Sequence, residues 1–316
     1  MRTTTLGADG PSVGVIGLGC MGMTWAYDPQ NRDDDTSVAV IHRALDIGVN
    51  LLDTSDVYGP FTNEELVGRA LAGRRDEAVL ATKVGLYIDD SGTMRRNGRT
   101  EHIRAGIDAS LRRLGTDHVD LYQLHRVDPE VPIEESWGAM AEAVAAGKVR
   151  AIGLSDVSVV EIKRAMAVHP VASVQSELSL WDKAALSEVV PFCAENGIAF
   201  LPFSPLGRGF LTGRFGSVDD LPEDDWRRGN PRFQDEALAA NQVITDRVKA
   251  IAERREVPPA QIALAWLCAQ GDHVIPIPGT KTPRYLESNA AAGDVRLSPE
   301  ELAELDGVPE ARGERY

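Results

Sequence analysis

Asn50-Leu51-Leu52-Asp53-Thr54-Ser55-Asp56-Val57-Tyr58-Gly59 begins as a short apolar run and ends in a polar turn that carries an acid and a phenol. A short apolar run without alternation is the mark of a strand buried on both faces. A strand that delivers polar groups past its C-terminal end sets them on a rigid element, as α/β proteins do at their reaction sites. Taken alone, the segment also reads as a buried strand followed by an ordinary Asx-type turn. What the neighbouring strands deliver decides between the two.

Upstream, residues 2–20 read as a hairpin whose second arm runs into a first apolar strand at 13–18. Thr36 is a candidate N-cap, Val38, Ile41 and Leu45 repeat at helical spacing, and Gly48 stops that helix. Downstream, apolar strands are predicted at 78–84, 119–124, 149–154, 172–177, 198–203 and 274–277. Helices fall between them. Thr100 and Gly115 bracket one with Ile103, Ile107, Leu111 and Leu114 on a face, and Pro132 and Gly147 bracket another. Further helices are expected at 158–168, 242–255 and 259–269, with one more ending at Asn196-Gly197. Ser298-Pro299-Glu300-Glu301 is the clearest start signal, with an N-cap Ser, Pro at the first helical position and a capping-box Glu. Residues 207–240, rich in Gly, Asp, Pro and Arg, are too long for an ordinary connection and read as a functional loop or lid. Eight apolar strands in regular βα alternation imply parallel strands with right-handed crossovers, closed into a ring. The expected fold is therefore α/β, a (β/α)8 TIM barrel with an N-terminal β-hairpin closing its bottom, as one domain over 1–316.

Composition narrows the function. With 43% hydrophobic and 26% charged residues among 316, the chain is ordinary for a globular protein. A net charge of −15 argues against nucleic-acid or anionic-membrane partners, which need clustered positive charge. Arg95-Arg96-Asn97-Gly98-Arg99 is a local loop cluster. Cys20, Cys193 and Cys268 are too scattered for a disulfide framework or a zinc site, so no metal and a reducing cytoplasm are expected. Apolar runs fall short of the ~18 residues of a membrane span. Gly17-Leu18-Gly19-Cys20-Met21-Gly22 matches the dinucleotide fingerprint, but no helix opens directly after it. Its glycines read instead as sites of close backbone approach.

In a closed parallel barrel the strand ends share one rim. Asp53, Tyr58, Lys83, His125, Ser155, Asp156, Gln175 and Ser204 then face it. Lys83 in a buried strand needs a partner, because an unpaired buried ammonium loses its hydration, and Asp53 on the neighbouring strand is the natural one. A cation beside Tyr58 would lower the phenol below its ordinary value of about 10 and make it a proton donor or acceptor. His125 would hold a substrate oxygen.

These residues resemble the aldo-keto reductase superfamily, in particular its bacterial, yeast and plant branch of auxin-induced or perakine-reductase-like proteins. The resemblance spans nearly the whole chain. It rests on residues 17–23, the Asp53-Thr54-Ser55-Asp56-Val57-Tyr58-Gly59 turn, Ala81-Thr82-Lys83, residues 120–126 and 147–155, Ser204-Pro205-Leu206-Gly207-Arg208-Gly209 and Pro278-Gly279-Thr280-Lys281. It implies NADPH-dependent reduction of a small-molecule aldehyde or ketone. The implied catalytic residues are Asp53, Tyr58, Lys83 and His125, with Tyr58 giving the proton. For the cofactor it implies Gly22 and Met23, Ser155 and Gln175 at the carboxamide, and Phe203 stacked on the nicotinamide. It further implies Ser204, Pro205, Leu206 and Arg208 along the pyrophosphate, Gly279, Thr280 and Lys281 around the 2′-phosphate, and Ser288 and Asn289 near adenine. Asp156 and Ser288 depart from the residues usual at their positions. A homo-oligomer is compatible with the family. Two other readings stay open at this stage: a cofactor-binding regulatory subunit of the channel-associated kind, and a hydrolase pairing Asp53 with Glu177. Loops at 23–35, 85–99, 126–131 and 207–235 are expected to wall the substrate pocket, with Trp25, Tyr27, Leu86, Tyr87 and Trp226 as candidates.

Overall fold

The computed structural model describes residues 1–315, the side chain of Asp235 excepted. Two short strands, β1 (Thr3–Thr5) and β2 (Ser12–Gly14), pair antiparallel as a hairpin. The chain then alternates β3 (Leu18–Gly19), α1 (Asp34–Asp46), β4 (Leu51–Asp53), α2 (Thr62–Leu71) and β5 (Val79–Val84). A second hairpin, β6 (Leu86–Ile88) with β7 (Met94–Arg96), follows before α3 (Thr100–Leu114), β8 (Val119–Leu124) and α4 (Ile133–Ala145). Next come β9 (Val149–Ser155), α5 (Val159–Met166), β10 (Ser173–Glu177), α6 (Val189–Glu195) and β11 (Ala199–Phe203). Four helices complete the chain: α7 (Asp235–Arg255), α8 (Pro259–Cys268), α9 (Pro283–Ala291) and α10 (Pro299–Asp306). Seven strands pair in parallel in the order β11-β10-β9-β8-β5-β4-β3. No helix among the described residues is long and apolar enough to cross a membrane.

Closure comes from residues 274–279, which lie between β11 and β3. Ile275 N–H donates to the Phe200 carbonyl at 2.9 Å and Ile277 N–H to that of Pro202 at 3.1 Å. On the other edge the carbonyls of Pro276 and Pro278 accept from Gly17 and Gly19, at 2.9 and 3.3 Å. Proline has no N–H, so this edge accepts without donating. The strand expected at 274–277 is thus a set of bridges rather than a regular ladder. The fingerprint glycines serve this closure, since a Cβ on Gly19 would sit 2.9 Å from the Ile277 carbonyl oxygen.

Strand parity sorts the side chains. Leu51, Val79, Ala81, Leu121, Ala199, Leu201, Ile275 and Ile277 point inward and form one cluster with Leu6 and Val13 of the hairpin. Leu52, Leu80, Tyr122, Leu124, Ile152, Leu154, Val174 and Phe200 point outward into the larger core beneath the helices. The hairpin turn covers the N-terminal mouth, where Gly7 abuts Ala172 and Ala8 abuts Gly197, ahead of β10 and β11.

Several boundaries differ from expectation. The strand expected over 13–18 is divided: 12–14 belong to the hairpin and 18–19 to the barrel, because Val15 N–H still bonds back to Arg2. Helix α1 is capped by Asp33, whose carboxylate accepts from Thr36 N–H, so Thr36 lies inside the helix. Thr100 is likewise a helical residue rather than a cap. Helix α7 starts at 235 instead of 242, and residues 207–233 fold into short 3-10 turns. Ser298 and Glu301 form the capping box that the sequence announced.

Candidate active site

Inward parity places Asp53 beside Ala81 on β5, with Lys83 one inward step further along, level with Gln123. Lys83 is fully buried. Its ammonium donates to Asp53 Oδ1 at 2.5 Å, to the Thr54 carbonyl at 2.8 Å and to the Tyr58 hydroxyl oxygen at 3.3 Å. An ammonium has three N–H bonds, and all are spent. Because the Tyr58 oxygen accepts from Lys83, the phenol keeps its own proton for another acceptor. Burial works against the Lys83 charge, yet Asp53 and Tyr58 beside it outweigh burial and hold the group above its ordinary value.

The phenol corrects one expectation. Burial raises Tyr58 above its usual value, and Lys83 pulls it down without cancelling that effect. The net shift is upward, and the hydroxyl stays protonated at neutral pH.

Asp53 is held from a second side that sequence reasoning missed. Gln123 and Gln175 each donate an amide N–H to Asp53 Oδ2, at 3.1 and 2.9 Å, and Gln175 also donates to Gln123 Oε1. A polar residue at an inward position of the apolar stretch Leu121-Tyr122-Gln123-Leu124 was the available signal. With both N–H bonds of Gln175 spent on Asp53 and Gln123, its carbonyl oxygen is the polar atom that remains to accept.

His125 follows β8 directly and stands edge-on to the Tyr58 ring, with ring centres 5.8 Å apart. Burial, then Lys83 and Arg126, depress it well below the usual imidazole range, so it is neutral. Its Nδ1 lies 3.2 Å from the Ser55 hydroxyl, which in turn lies 3.2 Å from Asp56 Oδ1. Trp25 packs on Tyr58, while Leu86 joins Val57 and Tyr58 in a small apolar cluster. Tyr87 instead packs against His102.

The remaining expected residues line the other half of the rim. Ser155 Oγ accepts from Arg126 at 3.1 Å. Phe203 has the guanidinium of Arg126 at 5.9 Å and that of Arg315 at 5.3 Å from its ring centre. Arg315 also pairs with Glu177 at 2.6 Å and Asp156 at 3.2 Å, and its carbonyl accepts from Arg208 and Asn230. Ser204 and Arg208 both adopt left-handed backbone, at φ 49 and 56°, which turns the chain sharply after β11. Lys281 donates to the Asp28 carbonyl at 2.7 Å, with the Asp28 carboxylate 3.4 Å away. Tyr27 and Trp226 meet at 5.8 Å, and Gln30 reaches Asp224, so two of the expected wall loops touch. Thr280 turns its hydroxyl back on its own loop, and Ser288 contacts Gln261 at 3.4 Å, with Asn289 buried beside it. Met23 is buried, whereas a Cβ on Gly22 would meet only Tyr27 at ordinary contact distance. Asp53 is committed to Lys83 and Glu177 to Arg315, so neither carboxylate stands ready as a hydrolytic acid or base.

The family model for the aldo/keto reductase family matches residues 15–310. The chain is 42% identical to the probable aldo-keto reductase 1 of Glycine max, over all of this chain and 92% of that one. It resembles the solved structure of a glycerol dehydrogenase from Gluconobacter oxydans with a TM-score of 0.86 and 32% identity, over 96% of this chain and 94% of that one. An aldo/keto reductase from Klebsiella pneumoniae, solved with NADP and acetate, matches with a TM-score of 0.76 and 28% identity, over 100% and 99% of the two chains.

Proposed function

The chain belongs to the aldo/keto reductase family, and from that premise we propose that it reduces the carbonyl group of an aldehyde or ketone to an alcohol with NADPH. The donor set on the second half of the rim fits that dinucleotide. Phe203 offers a flat face, Ser155 and the Gln175 carbonyl are groups for an amide, and Arg208 and Lys281 are cations for phosphates. Its present occupant supports the fit, since Arg315 is itself planar and lies over Phe203. When bound, the cofactor supplies the hydride.

The chain's own residues supply the rest. Tyr58 donates its proton to the carbonyl oxygen as negative charge develops there. Lys83 stabilises the phenolate left behind, and Asp53, fixed by Gln123 and Gln175, keeps Lys83 charged and in place. His125 sits beside Tyr58 to orient the same oxygen. The observation that carries this reading is the Lys83 ammonium, whose third N–H goes to the Tyr58 oxygen. Replacing Tyr58 by Phe removes only the donor. Turnover of a panel of aldehydes, followed by NADPH absorbance, should drop by roughly 10²–10⁴-fold with cofactor affinity kept. Undiminished turnover would refute the assignment. Binding of NADPH with no turnover on any aldehyde would favour a regulatory protein instead.

A further inference from the structure

The turn after β4 places three groups in a line: Asp56 Oδ1, the Ser55 hydroxyl and His125 Nδ1, with both links at 3.2 Å. Among the described residues, His125 Nε2 makes no hydrogen bond, and it is the imidazole nitrogen left for a substrate oxygen. The Ser55 hydroxyl has one proton and can give it to only one of its two neighbours. Its choice fixes which nitrogen of a neutral His125 carries the ring proton.

We propose that Asp56, acting through Ser55, is a positioning residue that sets the tautomer of His125 and thereby selects between carbonyl and alcohol at the site. This rests on the reductase reading above. With Asp56 protonated, its O–H donates to Ser55 and Ser55 donates to Nδ1. The imidazole then carries its proton on Nε2 and donates to a carbonyl oxygen. With Asp56 ionised, Ser55 donates to the carboxylate and accepts from Nδ1–H. Nε2 is then a bare lone pair that accepts from an alcohol O–H and repels a carbonyl oxygen. Between the two states one proton leaves. Asp56 passes its proton to Ser55, Ser55 passes its own to Nδ1, and the Nε2 proton goes to solvent.

The surroundings put this transition in an accessible range. Burial raises Asp56 to about 7, and the neighbouring Glu64 adds to the rise. Glu64 on α2 is bonded to Thr82 on β5 and paired with Arg113 on α3, so the Arg113 charge is shared and only partly offsets the effect. The Ser55 hydroxyl and the Val57 N–H bond the Asp56 carboxylate and pull the other way. Tyr122 on β8 has a phenol that burial keeps neutral, and the Lys83 carbonyl on β5 accepts the Asp56 backbone N–H.

The test combines spectroscopy with kinetics. Nitrogen-15 NMR of imidazole-labelled wild-type protein should show the His125 proton on Nε2 at pH 5.5 and on Nδ1 at pH 8.5. In parallel, kcat/KM for 4-nitrobenzaldehyde with NADPH should fall about tenfold per pH unit above the transition, while 4-nitrobenzyl alcohol oxidation rises. Asp56→Asn, which cannot ionise and whose amide can either accept from or donate to Ser55, should hold His125 in a single tautomer throughout and remove that limb. Ser55→Ala should leave the tautomer insensitive to pH. A tautomer that does not change with pH in the wild-type protein overturns the proposal, as does a pH limb that survives both substitutions. Failure of the reductase reading is distinguishable: no aldehyde would be reduced at any pH, while the NMR result would stand by itself.

Discussion

On one side of the rim, Asp53, Tyr58, Lys83 and His125 are buried and spend their hydrogen bonds on one another, on a glutamine pair and on a serine. On the other side, Ser155, Asp156, Phe203, Arg208 and Lys281 also have partners, but these are Arg126, Arg315 and Asp28. The first half is held in one geometry by contacts among its own side chains. The second is satisfied by pieces of the chain that stand on the surfaces a dinucleotide would use. Proton transfer rewards fixed geometry, because its rate falls steeply with misplacement. Binding sites must open and close, and contacts that can be exchanged keep their polar groups paired meanwhile.

That contrast can be broken from its rigid side first. Lys83→Met should lower turnover by roughly 10²–10⁴-fold, because the phenolate loses its cation. It should also destabilise the fold, since Asp53 is left as an uncompensated buried charge. Initial rates and thermal melting check both, and normal turnover would mean that the buried cluster is merely structural. On the exchangeable side, Lys281→Ala should weaken NADPH by about 10–100-fold with little change for NADH, the expectation for one charge-assisted bond to a phosphate. Fluorescence titration reads the ratio, and equal losses would detach Lys281 from the 2′-phosphate. A smaller effect of opposite sign is expected at Arg315→Ala. Removing the occupant of Phe203 should tighten NADPH by about tenfold, the scale of one lost charged hydrogen bond. Weaker binding would instead make Arg315 part of the cofactor site. A comparable change, read in stability rather than affinity, tests the seam where the halves meet. Gly19→Ala pushes a Cβ into the Ile277 carbonyl and should cost about 1–3 kcal/mol in denaturant unfolding.

The two halves also differed in how far the sequence betrayed them. Lys83 and Asp53 were legible because each is a charge in an apolar strand, and a buried charge demands a partner on the neighbouring strand. His125 was legible by ending such a strand. The glutamine pair was harder, since Gln123 and Gln175 lie on strands that are not neighbours and meet only across a closed barrel. Nothing local announced Arg315, whose partner Asp156 stands 159 positions earlier. The position of residues 274–279 was legible from composition, but its prolines concealed that closure runs through carbonyls on one edge. The direction of the Tyr58 shift was misjudged because the sequence gives a neighbour's charge more readily than the extent of burial.

The run of backbone carbonyls from Arg312 to Arg315 is tied down by Asn241, Arg232, Asn230 and Arg208 above the ends of β9, β10 and β11. Met1 and the β1–β2 hairpin lie at the opposite mouth. Arg208 and Asn230 thereby act as guy-lines for the guanidinium covering Phe203, and slackening either would loosen that cover. A change in the hairpin would act on the far end of the barrel and leave that face alone.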